Sequence, residues 1–104
     1  MDASASPPPL APGTTVVAGR GQLSAKLSGE AVILGLADSV YYGLDGAGAR
    51  IWELVQQPAT LASVADTLAA EFDVEREIAM RDLVDLARTL QQRGLLDVVA
   101  DTAP

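Results

Sequence analysis

Apolar positions change their period once along the chain, close to residue 45. Before that point they alternate or fall in short β-branched runs; after it they recur at threes and fours. Residues 14–17 are β-branched and predict a short strand, broken by Ala18, Gly19, Arg20 and Gly21. Residues 22–27 set Leu23, Ala25 and Leu27 against Gln22, Ser24 and Lys26, the alternation of a strand with one buried face. Ser28 and Gly29 supply a turn, residues 31–36 a second apolar strand, Ala37, Asp38 and Ser39 a second turn, and residues 40–44 a third strand rich in Tyr and Val. In that third strand Val40, Tyr42 and Leu44 are expected to face the core and Tyr41 to face away.

Helical spacing follows. Asp45 is expected to accept from the free amides of a first helix carrying Ala49, Ile51, Trp52, Leu54 and Val55, which Gln56, Gln57 and Pro58 stop. Thr60 is an N-cap residue for a second helix over 61–72, with Leu61, Val64, Ala65, Leu68 and Phe72 on its apolar face. Asp73 is expected to end that helix and cap a third over 74–93, closed by Gly94 where a left-handed residue is favoured. Leu95, Leu96, Val98 and Val99 form a last apolar run that packs back on the core. Strands followed by helices, without the alternation that parallel crossovers need, predict an α+β, winged-helix-like domain: a three-stranded antiparallel sheet followed by three helices. Residues 14–99 would form it, between a disordered Pro-rich tail over 1–13 and a disordered tail over 100–104.

Composition narrows the functional classes. The chain of 104 residues is 49% apolar but holds only one Trp, one Phe and two Tyr, so its core is aliphatic. It has no Cys and no His, which removes thiolate and imidazole catalysis, the metal sites built from them, and disulfides. No metal and no cofactor is expected. Net charge is −7, from seven basic and fourteen acidic residues, which argues against nucleic acid as a partner. The N-terminus lacks the basic and apolar regions of a signal peptide, and no apolar run approaches the roughly 20 residues of a membrane span. A cytoplasmic protein without a membrane partner is the expectation.

Nothing in the chain assembles catalytic chemistry. Gly43, Gly46 and Gly48 do not keep the spacing of a dinucleotide loop, and Ser24, Ser28, Ser39 and Ser63 have no His to activate them. Asp82 and Asp85 are expected on a solvated helix face. The third helix is the more informative surface. Ala79, Leu83, Leu86 and Leu90 form a core stripe, Arg81, Asp85, Arg88 and Gln92 a polar stripe, and Met80, Val84 and Ala87 lie between them, either as a wide core face or as the wall of a groove. The facing wall would be the strand from Ser39, an edge that neither Lys nor Pro blunts. The expected peptide-binding residues are therefore Ser39, Val40, Tyr41 and Tyr42 on the strand, and Met80, Arg81, Val84, Asp85 and Arg88 on the helix. Backbone pairing at about 1 kcal/mol per bond is largely offset by ordering a flexible ligand, so buried side-chain anchors must supply the surplus.

A strand ending in YYGLD that runs at once into GARIWELV resembles the pyrroloquinoline quinone synthesis protein D family, over residues 22–98. The likeness departs from the family at Asp45, where Asn is commoner, and at Gly35. Members are small domains that hold the leader segment of ribosomally made, post-translationally modified peptides. The resemblance implies a non-catalytic domain binding a precursor leader peptide by strand addition, for a leader peptidase, a cyclase or a radical enzyme of the same pathway, with a lasso-peptide pathway favoured. Two further readings are a carrier in pyrroloquinoline quinone biosynthesis and a winged-helix DNA-binding protein. The second would read DNA with Arg76, Arg81, Arg88 and Arg93, which Glu75, Glu77, Asp82 and Asp85 interleave.

Overall fold

A computed structural model of the protein describes residues 10–99. Six strands and three helices follow in the order β1 (Thr15–Ala18), β2 (Gln22–Leu27), β3 (Glu30–Gly35), β4 (Tyr41–Leu44), α1 (Gly46–Leu54), β5 (Ala59–Thr60), α2 (Leu61–Phe72), α3 (Arg76–Gln92) and β6 (Leu96–Val98). The domain is α+β and winged-helix-like, with two antiparallel three-stranded sheets where the sequence suggests one. The meander β2-β3-β4 is the expected sheet. The second, β5-β1-β6, gathers strands from the beginning, middle and end of the chain. Val16 pairs with Ala59 on one side and Val98 on the other and is fully buried between them. Strands of two and three residues carry no periodicity, which is why β5 and β6 escape a sequence reading.

The meander turns are set by backbone chemistry. Leu27 pairs with Glu30, so Ser28 and Gly29 form a two-residue hairpin loop, and both take the positive φ that such a turn needs. Between β3 and β4, Gly35 N donates to Val40 O at 2.9 Å and Ser39 N to Gly35 O at 2.8 Å, with Ser39 left-handed at φ 58°. A Cβ at Gly35 would lie 2.7 Å from Asp38 Oδ1, so the carboxylate of the turn occupies the space that this glycine leaves.

Two burial expectations fail in the meander. Ala31 and Ile33 of β3 face the helices, and through the pairings so do Ser24, Lys26, Tyr42 and Leu44. Leu23, Ala25 and Leu27 therefore point to the other face, where Leu23 and Leu27 are 62% and 56% exposed. Val40 is also exposed rather than core-facing, because the turn that ends at Ser39 holds it outside the strand.

Helix α1 lies against the inner face of the meander, and α2 and α3 pack on α1, on each other and on the second sheet. Ile51 and Trp52 of α1, Leu61, Val64, Ala65 and Leu68 of α2, and Ala79, Leu83, Ala87 and Leu90 of α3 meet Val16 and Ile33 in one core, closed from below by Leu95 and Leu96. Phe72, placed in the core by periodicity, ends half-exposed at the last turn of α2. Thr60 caps α2 as expected: its Oγ1 accepts from Ser63 N at 3.1 Å. Asp45 precedes α1 but its carboxylate makes no cap bond. Asp73 stops α2 in a left-handed conformation, and α3 begins after Glu75 rather than being capped by Asp73. Gly94 has the expected positive φ after α3.

The expected Pro-rich tail lies outside the described residues over 1–9. From Leu10 onward it is attached: Leu10 packs on the core, Pro12 O accepts from Ala62 N at 2.8 Å and Thr14 O from Leu61 N at 3.0 Å. These carbonyls join Thr60 in satisfying the first amides of α2, which a helix leaves without internal acceptors. The expected tail over 100–104 is also outside the described residues.

Candidate functional site: an open strand edge beside a helix

Strand β4 pairs only with β3, so its other edge is free among the described residues. The pair Gly35–Val40, with the register Ile33–Tyr42 and Ala31–Leu44, marks the residues that hydrogen-bond across the ladder. Tyr41 and Gly43 alternate with them, so their amides and carbonyls point off the sheet. Neither position has a side chain that blocks approach: a Cβ at Gly43 would meet nothing within 4 Å, and Tyr41 is 70% exposed on the outer face.

The opposite edge differs. Leu36 N donates to Gly21 O, which puts the outward groups of β2 at Gln22, Ser24 and Lys26. Lys26 stands on that edge and its ammonium pairs with Glu53 of α1 at 2.8 Å, across a cavity of about 310 Å³ that Trp52 and Arg50 also line. A lysine is a common guard on an exposed edge. Arg50 extends the network to Glu53 and Glu71, each at 2.8 Å. Hydrogen bonds from Lys26 and then Arg50 hold the Glu53 carboxyl below its usual range, and the Arg50 hydrogen bond does the same for Glu71.

Helix α3 presents one shoulder to the open edge, fixed by two contacts. Leu86 Cδ2 lies 3.7 Å from the Cβ position of Gly48, which also touches Leu44. Seven residues on, the Arg93 guanidinium sits 5.6 Å from the centroid of the Tyr42 ring, and its Nη1 donates to Tyr42 Oη at 3.4 Å. At about 100° per residue, Arg93, Asp82 and Thr89 lie within about 60° of Leu86 and share this shoulder.

The residues expected on the helical wall fall elsewhere. Met80 lies about 120° round the helix from Leu86, Arg81 about 140°, and Val84 and Arg88 about 160°. Met80 and Val84 are half-buried against the core on the opposite shoulder, and Arg81 and Arg88 are exposed beyond them. Asp85, about 100° away, is on the solvent side. The structure thus brings Tyr42 together with Arg93, and Leu44 near Leu86 across Gly48, while Tyr41 stands on the outer face and Ser39 and Val40 form the turn at the head of the strand. Periodicity shows which stripe of α3 is buried but not which shoulder meets β4, and it puts Leu86 in the core stripe, whereas the structure leaves it half-buried. A spacing of seven residues, about two turns, puts Leu86 and Arg93 on one face of α3, but only the packing shows that this face meets β4.

Asp38 completes the head of the site. Its Oδ1 accepts from Val40 N at 3.1 Å and its Oδ2 accepts from Tyr42 Oη at 3.3 Å. Among the described residues no group of three or more acidic, His or Cys side chains is placed to hold a metal. No helix of the described residues is long and apolar enough to cross a membrane.

A small α+β domain that shows, among the described residues, an unpaired strand along a helix, with an aromatic and an arginine at one end, offers the edge to which an extended chain can add. The chain belongs to the family of Coenzyme PQQ synthesis protein D (PqqD), whose family model matches residues 30–96. Three solved structures share the fold. The chain is 35% identical to TbiB1, solved in complex with the TbiA(beta) leader peptide, with a TM-score of 0.75 over 82% of this chain and 99% of that one. It is 26% identical to a lasso peptide synthetase B1 complexed with the leader peptide, with a TM-score of 0.70 over 78% and 95%. The third, the PqqD truncation of Methylobacterium extorquens PqqCD, described as a stand-alone recognition element for ribosomally synthesised and post-translationally modified peptides, is 19% identical with a TM-score of 0.71 over 86% and 95%. No curated protein matches the chain.

Proposed function

We propose that this protein is a non-catalytic recognition element that binds the leader segment of a precursor peptide as a fourth strand on β4 and presents the precursor to processing enzymes. The observation that carries this reading is the free edge at Tyr41 and Gly43, open beside α3, while the β2 edge is guarded by Lys26. Two of the solved relatives hold leader peptides, which supports a lasso-peptide pathway, with a leader peptidase and a cyclase as partners in the cytoplasm. The family also serves a quinone cofactor pathway, in which a radical enzyme would be the partner.

A short precursor gene beside this one would identify the ligand, and its synthesised leader is the peptide to use. On adding that leader, the amides of Tyr41 and Gly43 are expected to gain hydrogen-exchange protection, while those of β2 stay as they were. Unchanged exchange at Tyr41 and Gly43 in a saturated complex would rule out strand addition here. The precursor incubated with this protein alone is expected to keep its mass.

A further inference from the structure

Arg93 is a cation without a carboxylate at the head of the groove. Lys26, Arg50 and Arg76 are each held by acidic side chains. Arg93 has none within ion-pair distance among the described residues and is held instead by Tyr42, through its ring and its hydroxyl. Tyr42 is fixed in turn by Asp38, which is itself fixed by Val40 N. The relay holds one edge of the guanidinium, and among the described residues its remaining donors have no partner, in the fork that suits a carboxylate.

Strand geometry says which ligand residue meets it. The amide and carbonyl of Tyr42 point to β3, so an added strand pairs with Tyr42 at a non-hydrogen-bonded position, where facing Cα atoms are about 4.5 Å apart and side chains are closest. The ligand side chain opposite Tyr42 projects to the same face as Tyr42, toward Arg93. Two positions along the ligand, the side chain opposite Leu44 projects toward Leu44 and Leu86.

We propose that Arg93 is the specificity-determining residue of this groove: it takes the carboxylate of an Asp or Glu on the bound strand, opposite Tyr42, with an apolar residue two positions away against Leu44 and Leu86. This rests on the strand-addition reading above. The ligand is then defined by an acidic residue and an apolar one at alternate positions, and this carboxylate would be drawn to a cation that no carboxylate of the described residues pairs, on a protein of net charge −7.

The test pans a random twelve-residue peptide library against the full chain, Arg93→Glu and Arg88→Glu. The two variants make the same charge change on opposite shoulders of α3, and both positions are exposed, so the fold, checked by melting, is retained. Peptides selected on the natural chain are expected to carry the acidic and apolar pair at alternate positions and to protect Tyr41 and Gly43 from exchange. They should bind Arg93→Glu about tenfold more weakly and Arg88→Glu unchanged. Panning on Arg93→Glu should select Lys or Arg at the acidic position. Peptides that protect the β4 edge without a charge preference, and bind Arg93→Glu equally, would overturn the role of Arg93 and leave strand addition standing. Peptides that bind without protecting that edge would overturn strand addition itself.

Discussion

Single atoms separate residues that look alike in the sequence. Thr60 and Asp45 both precede helices and both are good N-cap types, yet only Thr60 accepts from its helix. Thr60→Ala is expected to cost about 1 kcal/mol in denaturant unfolding, whereas Asp45→Ala should lie within about 0.5 kcal/mol of the natural chain. Equal losses at the two sites would contradict the geometry. Gly35 interrupts an otherwise apolar strand, and its reason lies three residues away, where Asp38 turns its carboxylate back over the glycine. A sequence shows residue types but not such back-contacts. For the same reason it shows Tyr42 as a strand residue and Arg93 as a helix terminus, and not that the two touch.

Elements were more legible than their faces. The three meander strands, both of their turns and the span of α2 follow from local signals such as Ser28-Gly29 and Thr60. What local signals lack is the shoulder of α3 that meets β4, since that depends on how two elements pack. Val84→Asp, which would seem a test of the groove, is therefore expected to lower the melting temperature by placing a charge against the core, with lost binding only as a consequence of lost fold. A cleaner probe is Gly43→Pro. Its amide points off the edge and proline is tolerated at such edge positions, so the fold should survive while the added strand loses a donor and meets a ring. Leader binding should drop at least tenfold with little change in melting temperature. The segment entering β1 belongs to α2 as much as to the sheet, through Pro12 O and Thr14 O. Compared with a chain starting at Leu10, one starting at Thr14 is expected to be less stable by about 1–3 kcal/mol, from an orphaned amide at Ala62 and the lost packing of Leu10.

Across the whole molecule, charge governs what it meets and how it responds to acid. The carboxyls of Glu53 and Glu71 are lowered by Lys26 and Arg50, so the stability they add is fully present above their ordinary value of 4.5 and is lost as pH falls through their lower folded values. The difference in melting temperature between the natural chain and Arg50→Gln is expected to be widest near neutrality and to close below pH 4.5, and to shrink in high salt. A random DNA duplex should show no binding with the steep salt dependence that phosphate contacts impose, because the arginines of α3 stand among carboxylates. The second sheet has another consequence. Val16 pairs with Val98 and Val99 N donates to Thr15 O, so the strand nearest the start of the described chain and the one nearest its end lie side by side, about one strand spacing, roughly 5 Å, apart. The two ends of the described fold are thereby tied to each other, so loosening β6 is expected to loosen β1 and, through Thr14 O, the start of α2. The open edge of β4 belongs to the other sheet and is expected to be left as it is.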